Sequence, residues 1–143
     1  MKIEIIDINE EIVKNIISFF YNYTGRSLSI DRIKKSIEKY PSCIAYKDNN
    51  IIGFAYTNRF APDILELYNI FIHPEYRDKG IGGMILDKIE KNTKKRYSAI
   101  ILVNSILYNN SKNKKNAINF YINNGYSMIG ETKSTKIYFK NLL

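Results

Sequence analysis

Apolar and polar residues change their spacing several times along the chain, and each change marks an element. Over 2–7, KIEIID, Ile3 and Ile5 alternate with charge, the period of a strand. Asn9 then caps a helix with Glu10 and Glu11 in its first turn, where the helix dipole favours acids. Ile12, Ile16 and Phe19 or Phe20 share one face of it. YNYTGRSLS (21–29) is turn-rich and predicts a loop. Ser29 caps a second helix, with Ile30, Ile33 and Ile37 in a stripe, which ends before Pro41. SCIAYK and IIGFAYTNRF flank DNN, a hairpin pattern, and Pro62–Asp63 makes the next turn. ILELYNIFI (64–72) predicts a third strand of this run, closed by His73–Pro74. From about Gly80 to Lys95 the period is helical again, through Ile81, Ile85 and Ile89. SAIILV (98–103) is a nearly continuous apolar run, as in a strand covered on both faces. A polar loop and a short helix over 115–123 follow, the helix stopped by Gly125. YSMIGE and KIYFKNL are the last strands. The order β-α-α-β-β-β-α-β-α-β-β predicts an α/β (α+β) mixed sheet with helices on its faces, not a regular βαβ array. With no repeat or linker, one domain over 1–143 is expected.

Composition narrows the class. The 143 residues are 45 % hydrophobic, enough for a globular core, and no apolar stretch approaches the ~20 residues that span a bilayer. The N-terminus carries acids and lacks the small-residue cleavage site of a signal peptide. Cys43 is the only cysteine, so no internal disulfide is expected, and a reducing, cytoplasmic setting fits. Net charge is +8. That is compatible with an anionic partner, but the lysines are spread along the chain, so nucleic acid ranks last among partners. His73 is the only histidine, which leaves no metal-ligand or nucleophile–base constellation, and no metal is expected.

The most informative stretch is EYRDKGIGG (75–83), between an apolar strand and a helix. Glycine turns at a helix entry seat phosphates, because main-chain N–H groups converge where the dipole is positive. Arg77 and Lys79 add two cations at that mouth. The P-loop pattern is missing, and a dinucleotide fingerprint begun at Gly80 would put Ile85 where a small residue is needed. Taken alone, the stretch reads equally as a diphosphate cradle or as a helix entry with no ligand.

Arg77-x-x-Gly80-x-Gly82 after YNIFIHPEY resembles the acyl-CoA-binding motif of the GNAT superfamily of N-acetyltransferases, Gln/Arg-x-x-Gly-x-Gly/Ala. NAINFYINNGY (116–126) resembles that family's second signature, and the element order resembles its fold from end to end. The resemblance implies acetyl-CoA as co-substrate and a mostly antiparallel sheet splayed at the coenzyme A site. The pyrophosphate would sit on the amides of Lys79, Gly80, Ile81, Gly82 and Gly83, beside Arg77. The pantetheine arm would lie along 69–72 as an added strand, with Phe71 and Ile72 as main-chain partners. Asn113 or Asn116 would touch that arm; this second motif departs from the family pattern, with Lys114 where an asparagine is usual. Lys112, Lys114 and Lys115 read either as a site for the 3′-phosphate or as a solvated run.

The implied chemistry is amine attack on a thioester. A lysine-like amine must first lose a proton at neutral pH, and Glu66, eleven residues before Arg77, matches the place where some members of the family carry a general base. It also reads as an ordinary solvent-facing strand residue. Tyr121 matches the tyrosine that protonates the departing thiolate, with Phe120 packing inward. The acceptor would be a primary amine of a small molecule or peptide, walled by 22–29, 58–63 and the C-terminal strands, with Arg26 or Arg59 holding a carboxylate. A homodimer is compatible with this reading. The alternative from another class is a catalytically silent coenzyme A sensor or partner-binding module.

Overall fold

A computed structural model describes residues 1–7, 9–105 and 119–143. Strand β1 (Lys2–Ile5) is followed by α1 (Glu10–Thr24) and α2 (Ile30–Lys39), then by β2 (Ser42–Lys47), β3 (Asn50–Ala61) and β4 (Ile64–Ile72). A 3₁₀ turn (Pro74–Tyr76) leads to α3 (Ile81–Thr93), β5 (Ala99–Ser105), the described turn of α4 (119–123), β6 (Ser127–Glu131) and β7 (Thr135–Asn141). The described elements follow the expected order. They form a seven-stranded sheet ordered β1-β2-β3-β4-β5-β7-β6, in which only β4–β5 is parallel.

Local chemistry sets most of these boundaries. Asn9 Oδ1 accepts from the Glu11 and Ile12 amides at 2.8 and 3.4 Å, and Ser29 Oγ accepts from the Arg32 amide at 3.4 Å. Each such cap contributes about 1 kcal/mol. Asp48 and Asn49 take positive φ, which gives the β2–β3 hairpin the twist of its strands. Two expectations are corrected. The loop foreseen at 21–29 begins later, since α1 continues through Thr24 and stops at Gly25, whose N–H donates to the Tyr21 carbonyl. Ile30 leaves the α2 stripe and is exposed, so Ile33 and Ile37, with Ser36, make the buried face.

The helices divide the core in two. On one face of the sheet α1 and α2 cover Ile44, Phe54 and Tyr56, with Phe71 against them. On the other face α3 packs on Cys43, Ala45, Ala55, Leu67, Ile100 and Leu102, together with Tyr121, Tyr126 and Tyr138. Cys43 is fully buried there, and burial pushes its thiol up to about 11, which keeps it protonated.

Candidate active site

The sheet opens in the middle. β4 and β5 pair only from Ile64↔Ala99 to Glu66↔Ile101. Beyond that β5 runs on to Ser105 against β7, while β4 runs on to Ile72 against β3. The closed end is tied by the Ser98 amide on the Asp63 carbonyl (2.8 Å), and Leu142 in turn donates to Ser98 (2.8 Å).

A bulge marks the point of divergence. In the β3–β4 register Tyr56 faces Asn69 and Thr57 faces Leu67, so Tyr68 is the extra residue. A bulge bends its strand and resets its side-chain alternation. Leu67 packs on the α3 side, and Ile70 and Ile72 do so again after the bulge. Phe71 packs on the α1–α2 side. Glu66 belongs to that side as well, since it alternates with the buried Leu65 and Leu67 and feels the charge of Arg32 on α2.

The main chain of β4 also acquires a direction here. The His73 amide donates to Ile52 of β3 (2.8 Å), so by alternation the N–H and C=O of Ile72 and Ile70 point away from β3, into the opening. The Ile72 carbonyl accepts from Arg77 Nε at 3.1 Å on that side. The main chain of Phe71 is turned the other way, towards β3. Of the two main-chain partners expected from sequence, Ile72 therefore faces the opening and Phe71 offers its ring instead, with Arg77 Cζ 5.2 Å from the ring centre.

The glycine stretch divides its work. Gly80, at φ 81°, turns the chain into α3, and a Cβ there would meet nothing within 4 Å, so the mouth of the helix is open. Arg77 and Lys79 flank it and are exposed, Lys79 lying over the Tyr76 ring. Ile81 is buried and anchors the first turn. Gly82 and Gly83 are inside the helix and make room for α4. A Cβ on Gly82 would stand 2.8 Å from Phe120 Cε1, and one on Gly83 would stand 3.1 Å from Asn124 Oδ1. The N-cap Gly80 offers no side-chain cap, so among the described residues no cap side chain takes up the first amides of α3, and such amides suit a diphosphate.

Two devices hold α4 in place. The Tyr126 amide donates to Tyr121 O (3.0 Å) and the Gly125 amide to Ile122 O (3.0 Å), with Gly125 at φ 88°, which is a Schellman stop. A polar cluster then ties this stop to α3: Tyr126 Oη donates to Glu90 Oε2 (3.0 Å), and Lys140 Nζ donates to Glu90 Oε1 (2.7 Å) and to Asn124 O (2.9 Å). Tyr121 is 8 % exposed, its ring 5.1 Å from that of Tyr138 and in the same cluster as Leu67 and Leu102. Burial first, and then the neighbouring Tyr138, raises its pKa, so the phenol is neutral at working pH. Glu66 is half-buried and its carboxyl is raised by desolvation, an effect that Arg32 partly offsets.

Asn113, Asn116 and the lysines 112, 114 and 115 lie outside the described residues. Arg59 donates from Nε to the Ala61 carbonyl (3.3 Å), and Arg26 lies over the Phe20 ring at 5.1 Å. The arginine beside Glu66 is instead Arg32, whose Cζ is 4.5 Å above the Tyr68 ring. Nothing in sequence spacing distinguished it, because it meets β4 only through the packing of α2.

The sheet parts beside a carboxylate, with main-chain groups of one strand turned into the opening and a glycine-entered helix at its mouth, and this is the architecture the comparisons match. The family model for an acetyltransferase (GNAT) domain matches residues 38–128, and the chain belongs to that family. Solved structures of the same fold include a PaiA N-acetyltransferase from Thermoplasma acidophilum in complex with coenzyme A, at 23 % identity and TM-score 0.76, with 99 % of each chain covered. An aminoglycoside 6'-N-acetyltransferase complexed with coenzyme A aligns at 15 % identity and TM-score 0.82, over 100 % of this chain and 98 % of that one. The ribosomal-protein-S18-alanine N-acetyltransferase of Escherichia coli aligns at 16 % identity and TM-score 0.76, over 99 % and 94 %. No curated protein matches by sequence. Among the described residues no helix is long and apolar enough to cross a membrane.

Proposed function

We propose that this chain is an N-acetyltransferase that moves acetyl from acetyl-CoA to a primary amine, on a small molecule or peptide, by direct attack in a ternary complex. The observation that carries the proposal is the opening between β4 and β5, which has Glu66 at its hinge and the α3 entry at its mouth. In this reading the amides of 79–83, with Arg77 and Lys79, hold the diphosphate. Ile70 and Ile72 pair with the amide groups of the pantetheine arm as a neighbouring strand would.

Glu66 takes a proton from the acceptor ammonium. Its raised pKa supports that role, because a base works best when its pKa approaches the operating pH. The amine nitrogen then attacks the thioester carbon to give a tetrahedral adduct, which loses the second nitrogen proton to solvent as the carbon–sulfur bond breaks and the electron pair leaves on sulfur. Tyr121 donates a hydrogen bond to that sulfur. Its burial keeps the donor protonated and makes outright loss of the proton uphill, so the phenol holds the leaving sulfur by that hydrogen bond while the thiolate takes its proton from solvent. Asn113 and Asn116 remain candidates for contact with the arm.

The test is release of free thiol from acetyl-CoA with a panel of amines, run beside a thermal shift. At about 100 times Kd the coenzyme should add ~2.7 kcal/mol of stability. Stabilisation together with amine-dependent thiol release supports the enzyme. Stabilisation without release from any amine would make the chain a coenzyme A sensor.

A further inference from the structure

On the α1–α2 side of the opening two opposite charges, Glu66 and Arg32, lie near enough to interact without forming an ion pair. Glu66 stands at the hinge of β4, opposite Asn58 in the β3 register. Arg32, in the first turn of α2, holds its guanidinium 4.5 Å above the ring of Tyr68, two residues further along β4. Tyr68 stacks in turn on Tyr56, at 5.9 Å between ring centres and 22° between planes. The exposed guanidinium therefore rests on the outer ring of a stack of two tyrosines, which favours this position for it. Among the described residues no carboxylate lies within ion-pair distance of Arg32, while Glu66 is close enough for the two charges to interact. A carboxylate and a preset guanidinium, separated by more than a salt bridge, are the complement of a small zwitterion.

Resting on the acetyltransferase reading above, we propose that Arg32, held on Tyr68, binds a carboxylate of the acceptor, so that the acceptor is a free amino acid or a short peptide with a free carboxyl end and not a polycation. The amine goes to Glu66 and the carboxylate to the fork of Arg32, which suits planar, bidentate recognition. A guanidinium at this position repels the additional ammonium groups of a polyamine or an aminoglycoside. Arg59 and Arg26, the arginines that the sequence offered for this role, have their guanidinium groups on Ala61 and Phe20.

The test compares matched acceptors. Kinetics are run with a panel of L-amino acids, their carboxamides, dipeptides, and spermidine and kanamycin as polycations. Amino acids should exceed their own amides in kcat/KM by roughly 10–100-fold, the size of one charge-assisted bidentate contact. Arg32→Gln should erase that ratio through KM, and Arg32→Lys should restore only part of it. If dipeptides outrun amino acids at the same ratio of acid to amide, the carboxylate belongs to a peptide terminus. Equal rates on acids and amides, or a loss in Arg32→Gln that is the same for both series, would overturn the assignment. Turnover confined to the polycations would also overturn it and would leave the acetyltransferase reading standing. Stabilisation by acetyl-CoA with no turnover of any amine would end both.

Discussion

The two sides of β4 are built from different materials. Towards the opening and α3 the site is main chain and glycine: the groups of Ile70 and Ile72 that point away from β3, the first turn of α3, and the space that Gly82 and Gly83 leave for α4. On the α1–α2 side it is side chains: Glu66, Tyr68 and Arg32, brought from two elements and aligned by aromatic stacking. The first side can serve a constant ligand, because main-chain donors do not depend on residue identity. The second can differ between proteins of one fold, since each group in it is replaceable without disturbing the sheet. A shared coenzyme and an individual acceptor would divide along this line.

The comparison is broken most directly at Glu66. Glu66→Gln should lower kcat by about 10²-fold or more. In the wild type, kcat/KM should climb with pH through a value above the ordinary carboxylate 4.5, because burial raises this group. The sign for stability is opposite to that for activity. A carboxyl whose folded pKa exceeds its unfolded one loses stability as pH rises through that window, so Glu66→Gln should have a Tm at pH 7 no lower than the wild type. A Tm well below the wild type, with activity retained, would make Glu66 a structural strand residue.

Tyr121→Phe comes next, with a fall in kcat of about 10–10² and coenzyme affinity nearly intact, checked by single-turnover kinetics and the coenzyme thermal shift. Loss of affinity in that variant would move the phenol from the chemistry to the arm. Gly82→Ala acts on the other side of β4. Its Cβ would collide with Phe120, so about 1–3 kcal/mol of stability and much of the coenzyme affinity should be lost together, seen by denaturation and calorimetry. Acetyl-CoA bound as tightly as before would show that α4 is not needed to shape the cradle. Lys140→Met should have the smallest effect. It removes the cation from Glu90, of which 13 % is exposed, and costs about 1–2 kcal/mol, with a modest fall in kcat because the stop of α4 loosens.

The legibility of this molecule follows the same division. The strand and helix order was readable because periodicity changes at each boundary, and the caps Asn9 and Ser29 stand where the residues predict. The turn into α3 was legible because Gly80 sits where the chain needs a positive φ, while its reading as a diphosphate cradle came from the resemblance to the GNAT motif. Two things were hidden. The bulge at Tyr68 leaves no mark in ILELYNIFI, since it exists only as a mismatch with β3. Arg32 looks like any exposed arginine of α2 until packing sets it over Tyr68. Even Gly82, visible in the motif, was read for its ligand side, whereas its near neighbour is Phe120, thirty-eight residues away.

The most direct test of the central claim is a crystal structure of the protein with coenzyme A. The diphosphate oxygens should lie within hydrogen-bond reach of the amides of residues 79–83, and the pantetheine arm should pair with Ile72 and Ile70 between β4 and β5. Coenzyme A seated elsewhere, with β4 and β5 parted around nothing, would contradict the account.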